Sequence, residues 1–168
     1  MLSRRLFLAL ACSAAVSSGP AFAADPDPAA IVKSIYAKRD PYGVAASLEM
    51  RAKHRRALSK SLAALWKRSD DSTPAEDEPV PGFDISANSN GREVAGADVK
   101  VERQDSKRAT VAARLIDAAP MVKHPASNDI VRYDFIRENG RWVIDDVRST
   151  IDDKEWSLKG LLTEGLKS

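Results

Sequence analysis

The sequence predicts an α+β fold, with two helices near the start of the mature chain, an antiparallel sheet after them and a short helix at the end. Apolar residues recur at helical spacing between residues 28 and 68, which predicts the first two helices. From Phe83 onward apolar and polar residues alternate, which predicts roughly four antiparallel strands. Asn139-Gly140 lies between two alternating runs, a pattern typical of a tight β-hairpin. A sheet with one apolar face needs helices to cover it, so these elements make a layered α+β fold.

Residues 1–23 have the pattern of a secretory signal peptide that is removed from the mature chain. Arg4 and Arg5 form a charged start, and a short apolar stretch follows them. Ala21 and Ala23 put small residues at the two positions that a signal peptidase reads. The apolar stretch is shorter than the ~20 residues that cross a bilayer, so we expect no retained membrane anchor.

The charged start also resembles the twin-arginine export signal, because residues 3–8 match its core pattern S-R-R-x-F-L. Paired arginines are common in ordinary secretory signals too, so both export routes remain open. Either route predicts a periplasmic or secreted bacterial protein. Residues 24–168 are then expected to form one α+β domain.

Removal of the signal changes the charge balance of the chain. The whole sequence has 26 basic and 24 acidic residues, and the signal holds two arginines and no acid, which leaves 24 of each. We therefore expect neither nucleic acid nor, after signal cleavage, a membrane as a partner. The single cysteine, Cys12, lies in the signal, so the mature chain is expected to form no internal disulfide.

The first helix is predicted to begin at Asp27, which can cap free N–H groups, and Pro28, which suits the first helical position. The second is predicted over residues 44–68, with a broad apolar arc and a basic face opposite. Residues 70–81 hold five acids and three prolines, which predicts a mobile acidic loop.

The hairpin between residues 130 and 148 has a register that its loop length predicts. A two-residue loop places Tyr133 opposite Asp146 on one face and Asp134 opposite Asp145 on the other. The first face then turns inward onto the long helix and carries Tyr133, Phe135, Trp142, Ile144 and Asp146.

The last element is predicted to be a short helix. Asp152 can cap it, and Glu155 three residues later completes a pattern typical of a capping box. Leucines follow at residues 158, 161 and 162, and Gly165 can end the helix.

Earlier in the sheet, residues 105–107 are predicted to form the turn between two strands.

These pieces resemble the secreted bacterial family called domain of unknown function 3828, whose fold is similar to the nuclear transport factor 2-like (cystatin-like) superfamily. The matching segments lie at residues 31–36, 42–43, 48–58, 82–85, 131–135 and 142–147. The resemblance implies a cone-shaped curved sheet that wraps a long N-terminal helix and leaves a cavity between them. The family carries no agreed activity, so the resemblance implies no role for any residue.

Asp146 is the main candidate for chemistry. A carboxylate beside the Tyr133 phenol in a dry cleft could move a proton, and burial would raise its pKa toward a useful value. His54 could assist from the long helix. The alternatives remain open: Asp146 could bond a hydroxyl or an arginine near a strand end, and His54 could be a packed core residue.

The expected cleft also has binding candidates. Arg51 and Arg55 fall inside the apolar arc of the long helix, where they would need acidic partners such as Asp145 or Asp146. Alternatively, their stems cover apolar surface and their charged ends reach water. The ligand-binding candidates are Tyr36, Met50, Arg51, His54, Arg55, Tyr133, Trp142 and Asp146.

Three functions stay open at this point. The first is a non-catalytic exported module that binds a small molecule or peptide, and the second is a small acid/base enzyme that uses Asp146. The third is an envelope immunity or inhibitor protein that contacts a partner protein through the basic helix face or the acidic loop. The mature chain has no G-x-S-x-G, H-E-x-x-H, P-loop or G-x-G-x-x-G motif, so we expect no metal and no cofactor.

Overall fold

The chain forms an α+β fold, as the sequence predicts, built from α-helices and one five-stranded antiparallel sheet. The computed structural model describes residues 27–37, 57–118 and 125–167. In chain order the elements are α1 (Pro28–Tyr36), α2 (Lys60–Ser72), β1 (Val94–Gln104), β2 (Arg108–Asp117), β3 (Ile130–Glu138), β4 (Arg141–Ile151), β5 (Lys154–Ser157) and α3 (Leu158–Gly165), with a 3-10 turn at Ala126–Asp129.

Helix α1 begins as predicted. Asp27 is its N-cap, and the carboxylate accepts a hydrogen bond from the Ala30 N–H at 3.0 Å. Pro28 occupies the first turn, where its missing N–H costs nothing. The buried stripe of the helix ends in Tyr36, which reaches the middle of the sheet.

The described part of the predicted helix 44–68 is extended at Leu58, and helix α2 begins at Lys60. Of the predicted helix 44–68, residues 44–56 lie outside the described residues. Leu58 is not helical: it forms a parallel bridge with Ile144 of β4. Ser59 then caps the helix by accepting a hydrogen bond from the Leu62 N–H at 3.1 Å. The pairing with β4 holds the chain extended up to Ser59, so the helix begins at Lys60.

The same helix extends into the segment predicted as an acidic loop, residues 70–81. Asp70 and Asp71 are helical, and the helix ends at Ser72. The acidic residues do not stop the helix; Pro74 does, because the residue before a proline avoids the helical conformation. Thr73 accordingly has an extended backbone, with ψ of 121°.

The sheet is a meander in which every strand pairs with the next one in the chain. The turn predicted at residues 105–107 is confirmed, because β1 ends at Gln104 and β2 begins at Arg108. Alternate residues of β2 and β3 form the inner face, which the helices cover. The shared core includes Val32, Leu62, Val111, Val131, Tyr133, Phe135, Ile144, Val147, Leu158 and Leu162. No helix of the described segments is long and apolar enough to cross a membrane.

The predicted hairpin register is correct next to the turn and wrong beyond it. Phe135 pairs with Ile144 as predicted, but Tyr133 pairs with Val147 rather than Asp146. Asp134 pairs with Asp146 rather than Asp145. A β-bulge between these two parts of the ladder puts one extra residue into β4. The β4 residues that point inward therefore have even numbers before the bulge and odd numbers after it.

The predicted C-terminal capping box is also wrong. Asp152 and Asp153 have positive φ angles of 49° and 62°, and they form the turn of a second hairpin. Asp tolerates this left-handed conformation, which two-residue hairpin loops of type I′ require. Glu155 therefore lies in strand β5, and Ser157 caps α3 by accepting a hydrogen bond from the Gly160 N–H at 3.0 Å.

Candidate functional site

The predicted cleft residues Tyr36 and Tyr133 form a buried pair on the inner face of the sheet. Their hydroxyl oxygens lie 3.0 Å apart, and their rings meet edge to face with centroids 6.4 Å apart. The Tyr36 hydroxyl also donates to the Ser86 carbonyl at 3.0 Å. Tyr133 has no exposed surface, and Trp142 is buried as well. In this arrangement the pair joins α1 to the sheet.

The bulge in β4 brings a polar cluster together where two helices begin. We call Ser59, Ser61, Asp145, Asp146 and Lys159 the bulge cluster. The Asp145 carboxylate accepts hydrogen bonds from the Ser59 hydroxyl at 2.7 Å and the Ser61 hydroxyl at 3.0 Å. The Lys159 ammonium lies 2.7 Å from its other oxygen. Asp145 therefore fixes the first turn of α2 to the sheet.

Asp146, the next residue, lies at the start of α3. One oxygen of the Asp146 carboxylate accepts two backbone hydrogen bonds. They come from the N–H of Lys159 at 3.1 Å and from the N–H of Val147, the next residue in the chain, at 2.9 Å. A hydrogen bond from the Ser157 side chain adds to these contacts. Negative charge at a helix N-terminus is favourable, because the free N–H groups point toward it. The carboxylate is thus engaged in starting the helix.

The two neighbouring carboxyls have opposite pKa shifts. Burial raises the pKa of Asp146, and its backbone hydrogen bonds offset only part of this effect. Burial also opposes ionisation of Asp145, but the hydrogen bonds from Lys159, Ser59 and Ser61 outweigh it and lower the pKa of that carboxyl. The difference follows from the partners: Asp145 has a cation beside it, whereas Asp146 has only neutral donors in direct contact.

We expect these two carboxyls to affect stability in opposite directions with pH. Asp145 stabilises the folded chain above the ordinary carboxyl pKa of about 4, and this contribution is lost as the pH falls through its lowered value. Asp146 binds its proton more tightly when folded, so its ionisation costs stability as the pH rises through its raised value. Urea unfolding of Asp145→Asn and Asp146→Asn from about pH 3 to pH 7 checks both.

Relative to the unsubstituted protein, Asp145→Asn should lose more stability at neutral pH than at acidic pH. Asp146→Asn should gain relative stability as the pH rises. Asp77→Asn, at an exposed position away from the cluster, serves as the control and should leave the pH profile unchanged. If the stability of Asp145→Asn and Asp146→Asn changed with pH in the same direction, the opposite pKa shifts of the two carboxyls would be contradicted.

The predicted acid/base pair of Asp146 and Tyr133 is not formed. Asp146 pairs with Asp134 on the outer face of the sheet, whereas Tyr133 points into the core. The bulge separates them, since it moves Val147 into the position opposite Tyr133. The other predicted cleft residues, Met50, Arg51, His54 and Arg55, lie outside the described residues. The cation that contacts Asp145 within the described part is Lys159.

A groove crosses the outer face of the sheet over β3, β4 and β5. Its volume is about 250 Å³, and it is lined by Arg132, Arg148, Ser149, Thr150, Glu155, Trp156 and Ser157. We call it the outer groove. Both guanidinium side chains are partly open to solvent, Arg148 with 42% of its surface exposed and Arg132 with 31%. The groove is not predicted from the sequence, because the β4–β5 hairpin that forms it is predicted as the start of a helix. Asp152 and Asp153, which stand between two runs of strand-like sequence, are the feature that indicates this hairpin turn.

Acidic side chains hold the arginines of the outer groove in place. Arg148 donates to Asp134 at 2.6 Å, and this hydrogen bond raises the pKa of Arg148. Arg132 makes a two-pronged contact with Glu102, at 2.9 and 3.1 Å. Thr110 donates to the Asp134 carboxylate from β2 at 2.7 Å. The groove therefore offers oriented charges of both signs.

A second polar cluster closes the end of the sheet beside the β4–β5 turn. Arg92 is its centre, with 3% of its side chain exposed. It donates to Asp117 at 2.7 Å, to Asp129 at 2.6 Å and to the Asn128 carbonyl at 3.2 Å. Asn88 donates to the same carbonyl at 2.9 Å. All three guanidinium nitrogens of Arg92 donate to groups at the end of β2 or in the 3-10 turn, so the cluster ties the loops at this end of the sheet together.

Comparison with known proteins adds no further constraint on these sites. No protein-family model matches the chain. No curated protein and no solved structure matches it either. The resemblance to the domain of unknown function 3828 family and to the nuclear transport factor 2-like fold therefore stays a prediction.

Proposed function

We propose that this protein is an exported, non-catalytic module that binds a short peptide in the outer groove. The observation that carries the proposal is the groove itself, about 250 Å³ in volume, with partly exposed Arg132 and Arg148 on its walls. Glu155 adds an acidic group to the same walls. Oriented charges of both signs suit a ligand that itself carries both signs, as a short peptide does at its two ends.

The wall chemistry also suits the peptide backbone. Thr150 and Ser157 line the groove and can donate or accept hydrogen bonds. Arg148 can offer further N–H groups to a carboxylate, because its contact with Asp134 uses one edge of the guanidinium. In contrast, both carboxylates of the bulge cluster are occupied by hydrogen bonds, which favours a binding role over a catalytic one.

The proposal is tested with defined peptides and a matched pair of variants. Tripeptides such as Glu-Ala-Lys and Lys-Ala-Glu are titrated into the protein, and binding is followed by NMR shifts of backbone amides and arginine side chains. We expect shifts at β4 and β5, and about tenfold weaker binding for Arg148→Gln, since a hydrogen bond to a charged group contributes about 1.5 kcal/mol or more.

Arg114→Gln is the matched control, because Arg114 is an exposed arginine of β2 outside the groove. It should bind as the unsubstituted protein does. Equal weakening in both variants, or an absence of shifts at β4 and β5 at millimolar peptide, would overturn the proposal. Native mass spectrometry of protein purified from the periplasm would additionally report a retained ligand.

The acid/base enzyme remains a second candidate, favoured by the raised pKa of Asp146. Its test uses Asp146→Asn, which keeps an oxygen able to accept both backbone hydrogen bonds. If peptides or small molecules incubated with the protein change in mass, and the change disappears in this variant while urea stability is kept, the enzyme explains the chain better than the module. Unchanged ligand masses with the unsubstituted protein would exclude this role for the compounds tried.

A further inference from the structure

Strand β1 is an edge of the sheet, and among the described residues no strand pairs with its free side. Within the described segments β1 pairs only with β2, and its other side has no strand partner. Register shifts interrupt its ladder between Val94 and Gly96 and again between Val101 and Arg103. Between them lies a regular stretch, residues 96–101. An unpaired row of backbone N–H and C=O groups is a template for another strand.

The side chains of this stretch divide between the two faces. Asp98 and Lys100 lie on the outer face, both exposed, and neither takes part in a salt bridge in the described part of the chain. Ala97, Val99 and Val101 lie on the inner face, opposite the buried residues of β2. Val101 is 38% exposed. Within the sheet Asp98 lies opposite Arg114 of β2, and Lys100 lies opposite Ala112. Ala97 and Val99 pack against the core, so the stretch presents exposed charges on one face and the partly exposed Val101 on the other.

We propose that β1 pairs antiparallel with β1 of a second copy of this chain, about a two-fold axis at Val99. Antiparallel neighbours share a face, so the register that centres on Val99 places Asp98 opposite Lys100 of the partner subunit. The two-fold symmetry then also places Lys100 opposite Asp98 of the partner subunit. Each dimer gains two cross-strand ion pairs, and the two five-stranded sheets become one continuous sheet.

The neighbouring registers are less favourable. A shift that centres the axis on Asp98 brings this residue opposite its own symmetry copy, which places like charges together. A shift that centres the axis on Lys100 does the same for the two lysines and also sets Asp98 opposite Glu102 of the partner subunit. Of these three registers only the one centred on Val99 pairs opposite charges, and it also covers Val101 with the partner's Ala97. A register centred on Val101 would set Lys100 opposite Glu102 of the partner subunit, but Glu102 already contacts Arg132 and lies at the register shift that ends the regular stretch.

Charge reversal tests this register directly, with sedimentation velocity at several concentrations as the measurement. We expect the unsubstituted protein to form a concentration-dependent dimer. Asp98→Lys and Lys100→Asp should each weaken it by about tenfold, because each turns two attractive pairs into two repulsive ones. An equimolar mixture of the two variants should recover association, since one chain then offers two lysines and the other two aspartates.

Lys107→Asp is the matched control: it makes the same change of charge at an exposed position in the β1–β2 turn, outside the regular stretch. It should dimerise normally. A monomeric unsubstituted protein at millimolar concentration would overturn the proposal. It would equally be overturned if the mixture of reversed variants associated no better than each variant alone.

Cysteine cross-linking checks the position of the axis independently of charge. In a Cys12→Ser background, Val99→Cys should form a disulfide-linked dimer under mild oxidation, because directly opposite residues have Cα atoms about 4.5–5.5 Å apart. Val101→Cys should not, since it faces Ala97 of the partner subunit. Efficient cross-linking of both variants, or of neither, would contradict the register.

Discussion

Replacement of Arg92 by methionine is expected to lower the free energy of unfolding by about 3 kcal/mol. The side chain is 3% exposed and contacts the carboxylates of Asp117 and Asp129, which are 24% and 29% exposed. Methionine fills similar space but leaves both acids without their cation in a partly buried setting. Breaking a buried ion pair by removing one partner typically costs about 3–5 kcal/mol, and the partial exposure of the acids puts the effect at the lower end. Urea unfolding measures it.

Two further variants make this expectation specific. Arg114→Met removes an exposed arginine of the same sheet and should change stability by less than about 0.5 kcal/mol. Adding Asp117→Asn and Asp129→Asn to Arg92→Met should recover part of the loss, because the unpaired charges are then removed. A loss no larger than that of Arg114→Met would show that the Arg92 cluster does not hold the loops together.

Tyr133→Ala is expected to have the largest effect on stability, a loss of about 4 kcal/mol. The ring is fully buried in the middle of the inner face, and it meets Tyr36 of α1 edge to face. Truncation leaves a cavity the size of an aromatic ring and removes one of the contacts that join α1 to the sheet. Aromatic-to-alanine substitutions in cores typically cost about 3–5 kcal/mol. Chemical denaturation at neutral pH provides the measurement.

Tyr133→Phe separates the ring from its hydroxyl. It keeps the packing and removes the 3.0 Å contact with the Tyr36 hydroxyl, so the loss should be about 1 kcal/mol. If Tyr133→Ala were as stable as Tyr133→Phe, the ring would contribute nothing to the core, and this result would contradict the structural role assigned to Tyr133.

Local patterns in the sequence predict much of this fold. The N-cap at Asp27 and the hairpin at Asn139-Gly140 are read correctly, because capping and tight turns depend on residues within a few positions of each other. The inward position of Tyr133 and Trp142 follows from the period of two along a strand. These features involve only neighbouring residues, so a single sequence contains the needed information.

The bulge in β4 could not be predicted in the same way. A period of two identifies a strand but does not reveal an extra residue, because any regular register turns one of the adjacent residues Asp145 and Asp146 inward and the other outward. What favours the bulge is their contacts with Ser59, 86 residues earlier in the chain, and with the start of α3. Such long-range contacts have no local signature. One inserted residue therefore separates the predicted catalytic pair.

The start of α2 has a similar explanation. Helical spacing extends the predicted helix back to residue 44, but hydrogen bonds between residues 57–59 and Ile144 keep the chain extended just before Ser59. The Ser59 N–H donates to the Ile144 carbonyl at 2.7 Å, and the Ile144 N–H donates to the Ala57 carbonyl at 2.6 Å. Tertiary pairing overrides helical propensity here, because propensities differ by only a few tenths of a kcal/mol per residue. Two backbone hydrogen bonds to Ile144 outweigh such a difference.

The meander order of the strands has a consequence for the entropy of folding. Every strand pairs with its neighbour in sequence, so building the sheet closes only short segments of chain, and the entropic cost of closure is low. The long segments are closed elsewhere: the Tyr36–Tyr133 contact joins residues 97 positions apart, and the Ser59–Asp145 contact joins residues 86 apart. The sheet is thus the low-contact-order part of the molecule, and the docking of α1 and α2 carries the larger share of the closure entropy.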